Sequence, residues 1–447
     1  MEFDVVVLGT GPGGEDAAGR LAEADLRVAA VEANLVGGEC PYWGCIPSKM
    51  MIRAADLLAE GRRIPGIAGG SSVSPDWSQV AGRIRGEATD DWNDEVAAKR
   101  LTGKGVQLFR GRGKITAPGE VTVNGQVLRA SRGIVVATGS EPVVPPIEGL
   151  RDTPYWTNHR AIEAEQAPES LIVLGGGAIG AELAQAFSRF GTAVTVLEGA
   201  DRLLPPEEPE ASELVRKVFE VEGITVRTGA RARRVGHDGS AFTVETDDGP
   251  AVRAQRLLVS TGRRSDLAAL GVGAFGLDES ARAIRTDGRM RAAEGLWALG
   301  DITGKGAFTH MSMYQANIVV HDILGEPVQE AEYHAVPRVT FTDPEIGSVG
   351  LSEAQARQEG LQVRTALTRI ADSTRGWIHK AGNEGFVKLV TAEGVLVGAT
   401  SAGPVGGEVL SMLTLAVHAR IPVRRLSEMI YAYPTFHRAV EATLKEL

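Results

Sequence analysis

Phe3-Asp4-Val5-Val6-Val7-Leu8-Gly9-Thr10-Gly11-Pro12-Gly13-Gly14 opens the chain, and its reading decides the fold. Residues 3–8 form a short apolar strand, the glycines permit a tight turn, and an Ala-rich helix follows from about Glu15 to Ala24. Leu26 to Val31 returns as a second strand that ends at Glu32. In such a βαβ unit a pyrophosphate reaches the helix N-terminus, while the acid at the end of the second strand accepts hydrogen bonds from ribose hydroxyls. The pattern recurs. Leu171 to Leu174 leads into Gly175-Gly176-Gly177-Ala178-Ile179-Gly180, a helix to about Phe190, and a strand from Ala193 to Leu197 that ends at Glu198. Twenty-three positions separate Gly9 from Glu32, and the same 23 separate Gly175 from Glu198. One glycine fingerprint is a weak signal in a chain with 55 glycines; two copies with one spacing are a strong one. Two bound dinucleotides are expected.

The only two cysteines lie just downstream of the first copy, in Gly37-Gly38-Glu39-Cys40-Pro41-Tyr42-Trp43-Gly44-Cys45-Ile46-Pro47-Ser48-Lys49. Free cysteine is often a small buried hydrophobe, but a close pair beside a cofactor motif points to redox chemistry. On an ideal helix residues five apart are too distant for a disulfide, whose Cα atoms need roughly 4.4 to 6.8 Å, so the first turn is expected to be distorted. Pro41 suits the first helical position, and Pro47 removes the N–H that would otherwise bond the Trp43 carbonyl. A thiolate at a helix start is stabilised by the dipole. With a hydride donor at the second nucleotide site, a flavin at the first is the natural intermediary that turns a two-electron hydride into dithiol chemistry.

The length, 447 residues, suggests about three domains. A net charge of −10 with no Lys/Arg-rich run excludes a basic field for nucleic acid. Met1-Glu2-Phe3-Asp4 has no basic n-region, and no uncharged apolar run reaches membrane-spanning length, so no membrane association and a cytoplasmic location are expected. In a reducing compartment a close cysteine pair is catalytic or redox-sensing rather than a structural staple.

With these motifs the chain resembles the pyridine nucleotide-disulfide oxidoreductases, the family of dihydrolipoamide dehydrogenase, glutathione reductase and mercuric reductase. The cysteine segment is similar to the family's GGTCxNxGCxPSK. Ala137-Thr138-Gly139-Ser140, Ser260-Thr261-Gly262-Arg263, Leu299-Gly300-Asp301, His310-Met311, and Val336-Pro337 through Phe341-Thr342-Asp343-Pro344-Glu345 extend the resemblance over essentially the whole sequence. It implies an α/β fold with two Rossmann-like dinucleotide-binding domains and a C-terminal α+β dimerisation domain, in a homodimer. The segments expected are an FAD-binding domain at 1–148, an NAD-binding domain at 149–265, a further FAD-binding central segment at 266–330 and the dimerisation domain at 331–447. FAD is implied on Gly9, Gly11, Gly14, Glu32, Lys49, Gly113, Gly139 and Asp301, and a nicotinamide nucleotide on Gly175, Gly177, Gly180, Glu198 and Gly262. Lys49 is implied to pair with Glu182 near the reactive edge of the flavin. Cys45 is implied to be the flavin-proximal thiol and Cys40 the interchange thiol. No resident metal is expected. On the bland reading Gly113 is an ordinary turn glycine and Glu182 a surface helix residue.

Departures from the family pattern concern the substrate end. Glu39 stands where Thr is usual and is expected to raise the pKa of Cys40. Tyr42 and Trp43 replace smaller residues, and either stack on a planar acceptor or pack against neighbouring helices. The family's C-terminal HxHPTxxE, whose second His is acid/base and whose Glu orients it at a site completed by the partner subunit, is here Tyr431-Ala432-Tyr433-Pro434-Thr435-Phe436-His437-Arg438. Tyr433 holds the His position and Arg438 the Glu position; His437, four residues on, is either a replacement base or structural. A positioned acid/base contributes ~10²- to 10⁴-fold in rate, and a phenol protonated at neutral pH donates a proton better than it accepts one. Mercuric reductase also lacks this His, but that resemblance calls for a C-terminal cysteine pair, and the chain has no third cysteine. The leading expectation is an enzyme passing electrons from NADH, preferred over NADPH because Glu198 faces a 2′-phosphate, through FAD to Cys40–Cys45. The small-molecule acceptor is then an unusual disulfide, a quinone or a soft metal ion. The alternatives are a non-enzymatic flavin-binding redox switch or scaffold, and a dihydrolipoamide dehydrogenase with an atypical acid/base.

Overall fold

Val5, Val6, Val7 and Leu8 are all buried, as a strand covered on both faces requires. The computed structural model describes residues 1–447, and they form two units, each assembled from three stretches of chain. Residues 1–47, 82–143 and 262–333 make the first; residues 48–81, 144–261 and 334–447 make the second.

The first unit is built on one large sheet. Glu2–Leu8 lies at its centre, parallel to Val28–Glu32 on one side and to Gln126–Val136 on the other. Gln107–Arg110 extends the Val28 side, and Leu296–Ala298 extends the other. Successive side chains of the central strand point to opposite faces and feed two cores. Val5 and Val7 pack with Ala17, Leu21 and Val319 of the helices Pro12–Glu23 and Thr309–Leu324. Val6 and Leu8 pack with Ile115, Val121 and Leu128 of an antiparallel layer. The first helix starts at Pro12, earlier than the expected Glu15, because a proline in the first turn forfeits only an N–H that has no intrahelical partner.

The second unit repeats the central motif. Ser170–Leu174 lies between Ala193–Glu198 and Arg256–Val259, all parallel, and Thr225–Thr228 extends the edge beside Ala193–Glu198. Residues from 337 onward form a five-stranded antiparallel sheet ordered Pro337–Thr340, Glu345–Gly350, Val395–Gly403, Phe386–Ala392, Val363–Arg369. Leu389, Leu396, Leu410, Leu413 and Val440 join this sheet and the helices Gly406–His418 and His437–Lys445 in one core.

Candidate active site

The two glycine loops have the same division of labour. Gly9 has φ +90°, and a Cβ there would sit 2.6 Å from the Ala137 carbonyl oxygen; Gly175 has φ +101° and the same conflict, 2.5 Å, with Ser260. A Cβ on Gly14 would lie 2.1 Å from Gly9 O, and one on Gly180 2.0 Å from Gly175 O, so the third glycine lets helix and strand close up. At the middle glycines, Gly11 and Gly177, a Cβ would meet nothing within 4 Å. These are the two open faces at helix starts, and they fit a pyrophosphate approaching the N-termini of Pro12–Glu23 and Ala178–Arg189. The acids also tie down the loops. Glu32 accepts from Thr10 N (2.8 Å), Thr10 Oγ1 (2.7 Å) and Asn34 N (2.7 Å), while Glu198 accepts from Gly176 N and Ala200 N. A carboxylate has about four lone-pair sites, so each retains acceptor capacity for ribose hydroxyls.

The remaining glycines differ in character. Gly139 (φ +67°) and Gly262 (φ +126°) have open space where a Cβ would stand. Gly113 is no turn glycine: it begins the strand Gly113–Ala117, and a Cβ would press to 2.6 Å from Leu8 Cδ2. Asp301 lies in the short 3₁₀ turn Gly300–Thr303, and its Oδ2 accepts from Ser140 Oγ at 2.6 Å. Arg263 Nε donates to that same Ser140 hydroxyl at 2.9 Å. Ser140 and Arg263 thus orient Asp301, a role their positions inside quoted motifs did not disclose.

The dithiol segment is more than a distorted first turn. Glu39–Tyr42 is a separate one-turn helix, the chain leaves helical geometry at Trp43 (φ −136°, ψ 8°), and a new helix, Cys45–Arg63, begins at the second cysteine. Pro41 is therefore the third residue of its short helix rather than the first, and Pro47 lies in the first turn of the next, where its missing N–H costs no internal bond. Gly44 allows the break, since a Cβ there would come to 3.1 Å from Glu39 O. The two cysteines are not joined by a disulfide in this structure; Cys40 is half-buried and Cys45 exposed. The Cys40 pKa is raised, chiefly because its S–H hydrogen-bonds to Cys45 and secondarily by burial. Glu39 is not the cause, and its carboxylate stands 3.6 Å from Arg263 Nη2. The proton consequently stays on Cys40 and is shared toward Cys45. Thr309 Oγ1, at the start of the Thr309–Leu324 helix, is 3.3 Å from Cys45 Sγ. Sequence reading passed over this residue, although it directly precedes the singled-out His310. Tyr42 is buried, with its ring 5.9 Å from that of Trp43, which supports packing for Tyr42.

In the second unit Lys49 Nζ is 2.8 Å from Glu182 Oε2. Glu182 is only 6% exposed, so the surface-residue reading fails. Its other oxygen accepts from Phe341 N at 2.8 Å, and Lys49 lies over the Phe341 ring, 4.6 Å from the centroid. Near the C-terminus Tyr433 is 66% exposed, with the Arg438 guanidinium 5.6 Å from its ring centroid. Arg438 also pairs with Glu441 at 2.6 Å. His437 is the first residue of the His437–Lys445 helix. The neighbouring Tyr431 is buried, donates to Leu426 O at 3.0 Å, and has its pKa raised to about 12 by that burial. No group of three or more His, Cys, Asp or Glu residues is placed to hold a metal ion.

The model for pyridine nucleotide-disulphide oxidoreductases matches residues 3–316, and that for the family's dimerisation domain matches residues 336–444. The chain belongs to this family. A dihydrolipoyl dehydrogenase of Chlorobaculum tepidum is 35% identical over 98% of this chain and 96% of its own. A mercuric reductase of Shewanella putrefaciens is 33% identical over 96% of this chain and 78% of its own. Among solved structures, LpdA from Mycobacterium tuberculosis superposes with TM-score 0.86 at 27% identity, covering 99% of both chains. A Cu(II) complex of the HOCl-induced flavoprotein disulfide reductase RclA from Escherichia coli has the same fold, with TM-score 0.88 at 24% identity and 100% of both chains covered.

As a pyridine nucleotide-disulphide oxidoreductase the chain is an enzyme of the class I flavoprotein disulfide reductase type, in a family that is FAD-dependent and uses a pyridine nucleotide. Its C-terminal match indicates a homodimer. No helix is long and apolar enough to cross a membrane.

Proposed function

We propose that this oxidoreductase carries electrons from NADH through FAD to the Cys40–Cys45 pair and delivers them to a quinone or a soft metal ion rather than to an ordinary disulfide. The four segments 1–148, 149–265, 266–330 and 331–447 serve FAD, NAD, FAD and dimerisation. FAD, when bound, supplies the conversion of a two-electron hydride into dithiol chemistry. Gly9, Gly11, Gly14, Glu32, Lys49, Gly113, Gly139 and Asp301 hold it, with Lys49 paired to Glu182 at its reactive edge, and Gly175, Gly177, Gly180, Glu198 and Gly262 hold the nicotinamide nucleotide. The Cys40–Cys45 bond breaks as two electrons arrive; Cys40 takes a proton and Cys45 remains thiolate beside Thr309. The dithiol then returns the pair and re-forms the bond. A quinone takes both electrons with two protons, one from Cys40 and one from water, whereas a soft cation takes the electrons and the single Cys40 proton leaves to water.

The observation that carries the choice of acceptor is the exposed Tyr433 under Arg438 where a base is needed for disulfide exchange. Named relatives do not decide it, since dihydrolipoyl dehydrogenases and mercuric reductases are similarly close. NADH preference is supported by Glu198 and by Arg202, whose guanidinium is engaged with Glu207 O, Ser212 Oγ and Pro205 O and is not offered to a 2′-phosphate.

The test is an acceptor panel on enzyme reduced anaerobically with NADH. Two-electron uptake, higher kcat/KM with NADH than NADPH, and faster turnover of a quinone or soft cation than of lipoamide or glutathione disulfide are expected. Tyr433→Phe should slow acceptor turnover about tenfold or more and leave reduction by NADH unchanged. Rapid oxidation of dihydrolipoamide at pH 7 would overturn the reading, and a flavin inert to NADH would favour the redox switch.

A further inference from the structure

In the second unit, residues 48–63 of the Cys45–Arg63 helix lie against the Ala178–Arg189 helix through two ion pairs of opposite polarity. Lys49 Nζ meets Glu182 Oε2 at 2.8 Å, and two turns further along Asp56 Oδ1 meets Arg189 Nη1 at 2.6 Å. The spacing is seven residues on each helix, so both members of each helix share a face. Sliding the helices by two turns would set Lys49 against Arg189 or Asp56 against Glu182, which like-charge repulsion opposes.

A third segment, Phe341 to Asp343, grips the same helix face. Phe341 N donates to Glu182 Oε1 at 2.8 Å. The Gln185 amide brackets Asp343, accepting from its N–H at 2.8 Å and donating to its carbonyl at 2.9 Å. The Asp343 carboxylate receives Arg189 Nη2 at 2.8 Å and Arg63 Nη2 at 2.7 Å. Arg189 also binds Glu222, and Gln185 and Arg189 are each 3% exposed. Buried ion pairs add little net stability against an apolar replacement, while removing one partner is costly; their best-attested use is to fix register.

We propose that Asp56, Gln185, Arg189 and Asp343 are positioning residues for Lys49: they lock the register of the two helices and tie it to the Phe341–Asp343 segment, holding the Lys49 ammonium at one place. This rests on the reading that Lys49 acts at the reactive edge of the flavin. Burial alone would not produce it, because Leu or Met at these positions would pack as well without selecting one axial alignment.

The test is a double-mutant cycle in the FAD-loaded dimer, reading the rate of flavin reduction by NADH, the long-wavelength charge-transfer absorbance after two-electron reduction, and Tm. Lys49→Ala, Arg189→Lys, Asp56→Asn, Asp343→Asn and the three doubles with Lys49→Ala are compared. The expected result is a three- to tenfold slower reduction and a weakened band in each positioning variant, with no further loss once Lys49 is already Ala. Asp56→Asn and Asp343→Asn preserve shape and backbone contacts, so they keep the test valid if Arg189→Lys fails to fold. Additive losses, or loss of Tm with native rate and band, would overturn the positioning role while leaving the Lys49 reading intact. A Lys49→Ala enzyme with native rate and band would overturn the Lys49 reading, and the inference with it.

Discussion

At the scale of single residues, the thiol pair shows how local geometry assigns unequal roles to equal groups. Cys40 holds a proton because its neighbour's sulfur and its own burial disfavour the charged form, whereas Cys45 is exposed and lies next to the Thr309 hydroxyl. Cys40→Ser should therefore leave a Cys45 thiolate that gives charge-transfer absorbance with oxidised FAD before any reductant is added. Cys45→Ser should lack the band under all conditions. Absorbance spectra of the two purified variants check this, and the reverse pattern would exchange the roles. Residue type and spacing made this pair legible in sequence. They did not expose the cause of the Cys40 shift, because Glu39 looks like its nearest charge in sequence while Arg263, 224 positions away, stands beside Glu39 in space.

Among the elements, the two βαβ loops were readable because each of their constraints is local: a turn, a helix start and an acid at fixed distance. The structure separates those constraints. Gly14→Ala would force a methyl to 2.1 Å from Gly9 O and should destabilise the loop itself, seen as a lowered Tm of the protein freed of FAD. Gly11→Ala meets no protein atom and should leave that Tm within about 1 °C while weakening FAD binding at least tenfold, measured by fluorescence titration. The Asp56–Arg189 rung was not readable, since its members lie 133 positions apart and nothing in either helix names its partner. Its pH behaviour is distinctive. Burial raises the Asp56 pKa to about 6 against the pull of Arg189, with Asp343 and Glu345 pushing the same way as burial and Arg53 opposing. The folded state thus binds a proton between about pH 6 and 4 that the unfolded chain does not, so this group's stabilisation is lost as pH rises through that window. Asp56→Asn should gain Tm relative to the parent on going from pH 5 to pH 7.5. The opposite trend, or none, in paired melting curves would refute the assignment.

For the molecule as a whole, the resemblance to the family implies that the C-terminal segment of one subunit completes the dithiol site of the other. Tyr433 and Cys45 should then complement in trans. A mixed dimer of a Cys45→Ser chain and a Tyr433→Phe chain contains one fully native site, formed by the second chain's cysteines and the first chain's tyrosine. Co-expressed with two affinity tags, it should recover about half the acceptor turnover of the native dimer per flavin dimer, well above either parent variant. Turnover no greater than the average of the two parents would place Tyr433 on its own subunit's site or on none. The α/β class and the dimerisation domain were legible here because motifs mark the beginning and end of the chain; the acceptor was not, because the residues that would select it depart from the family pattern.

The interleaving of the two units has a consequence for synthesis. A ribosome adds about 5–20 residues per second, and the central sheet of the first unit closes only when Leu296 pairs with Ile134, more than 160 positions upstream. By then the strands and helix of the second glycine loop have already emerged, and their partner segment beginning at Pro337 has not. The four strands of the second unit's parallel sheet, all between Ser170 and Val259, are therefore synthesised while the Gln126–Val136 edge of the first sheet is still open, and the order of completion is set by the passage of the chain back and forth between units rather than by N-terminal-first completion of one domain at a time.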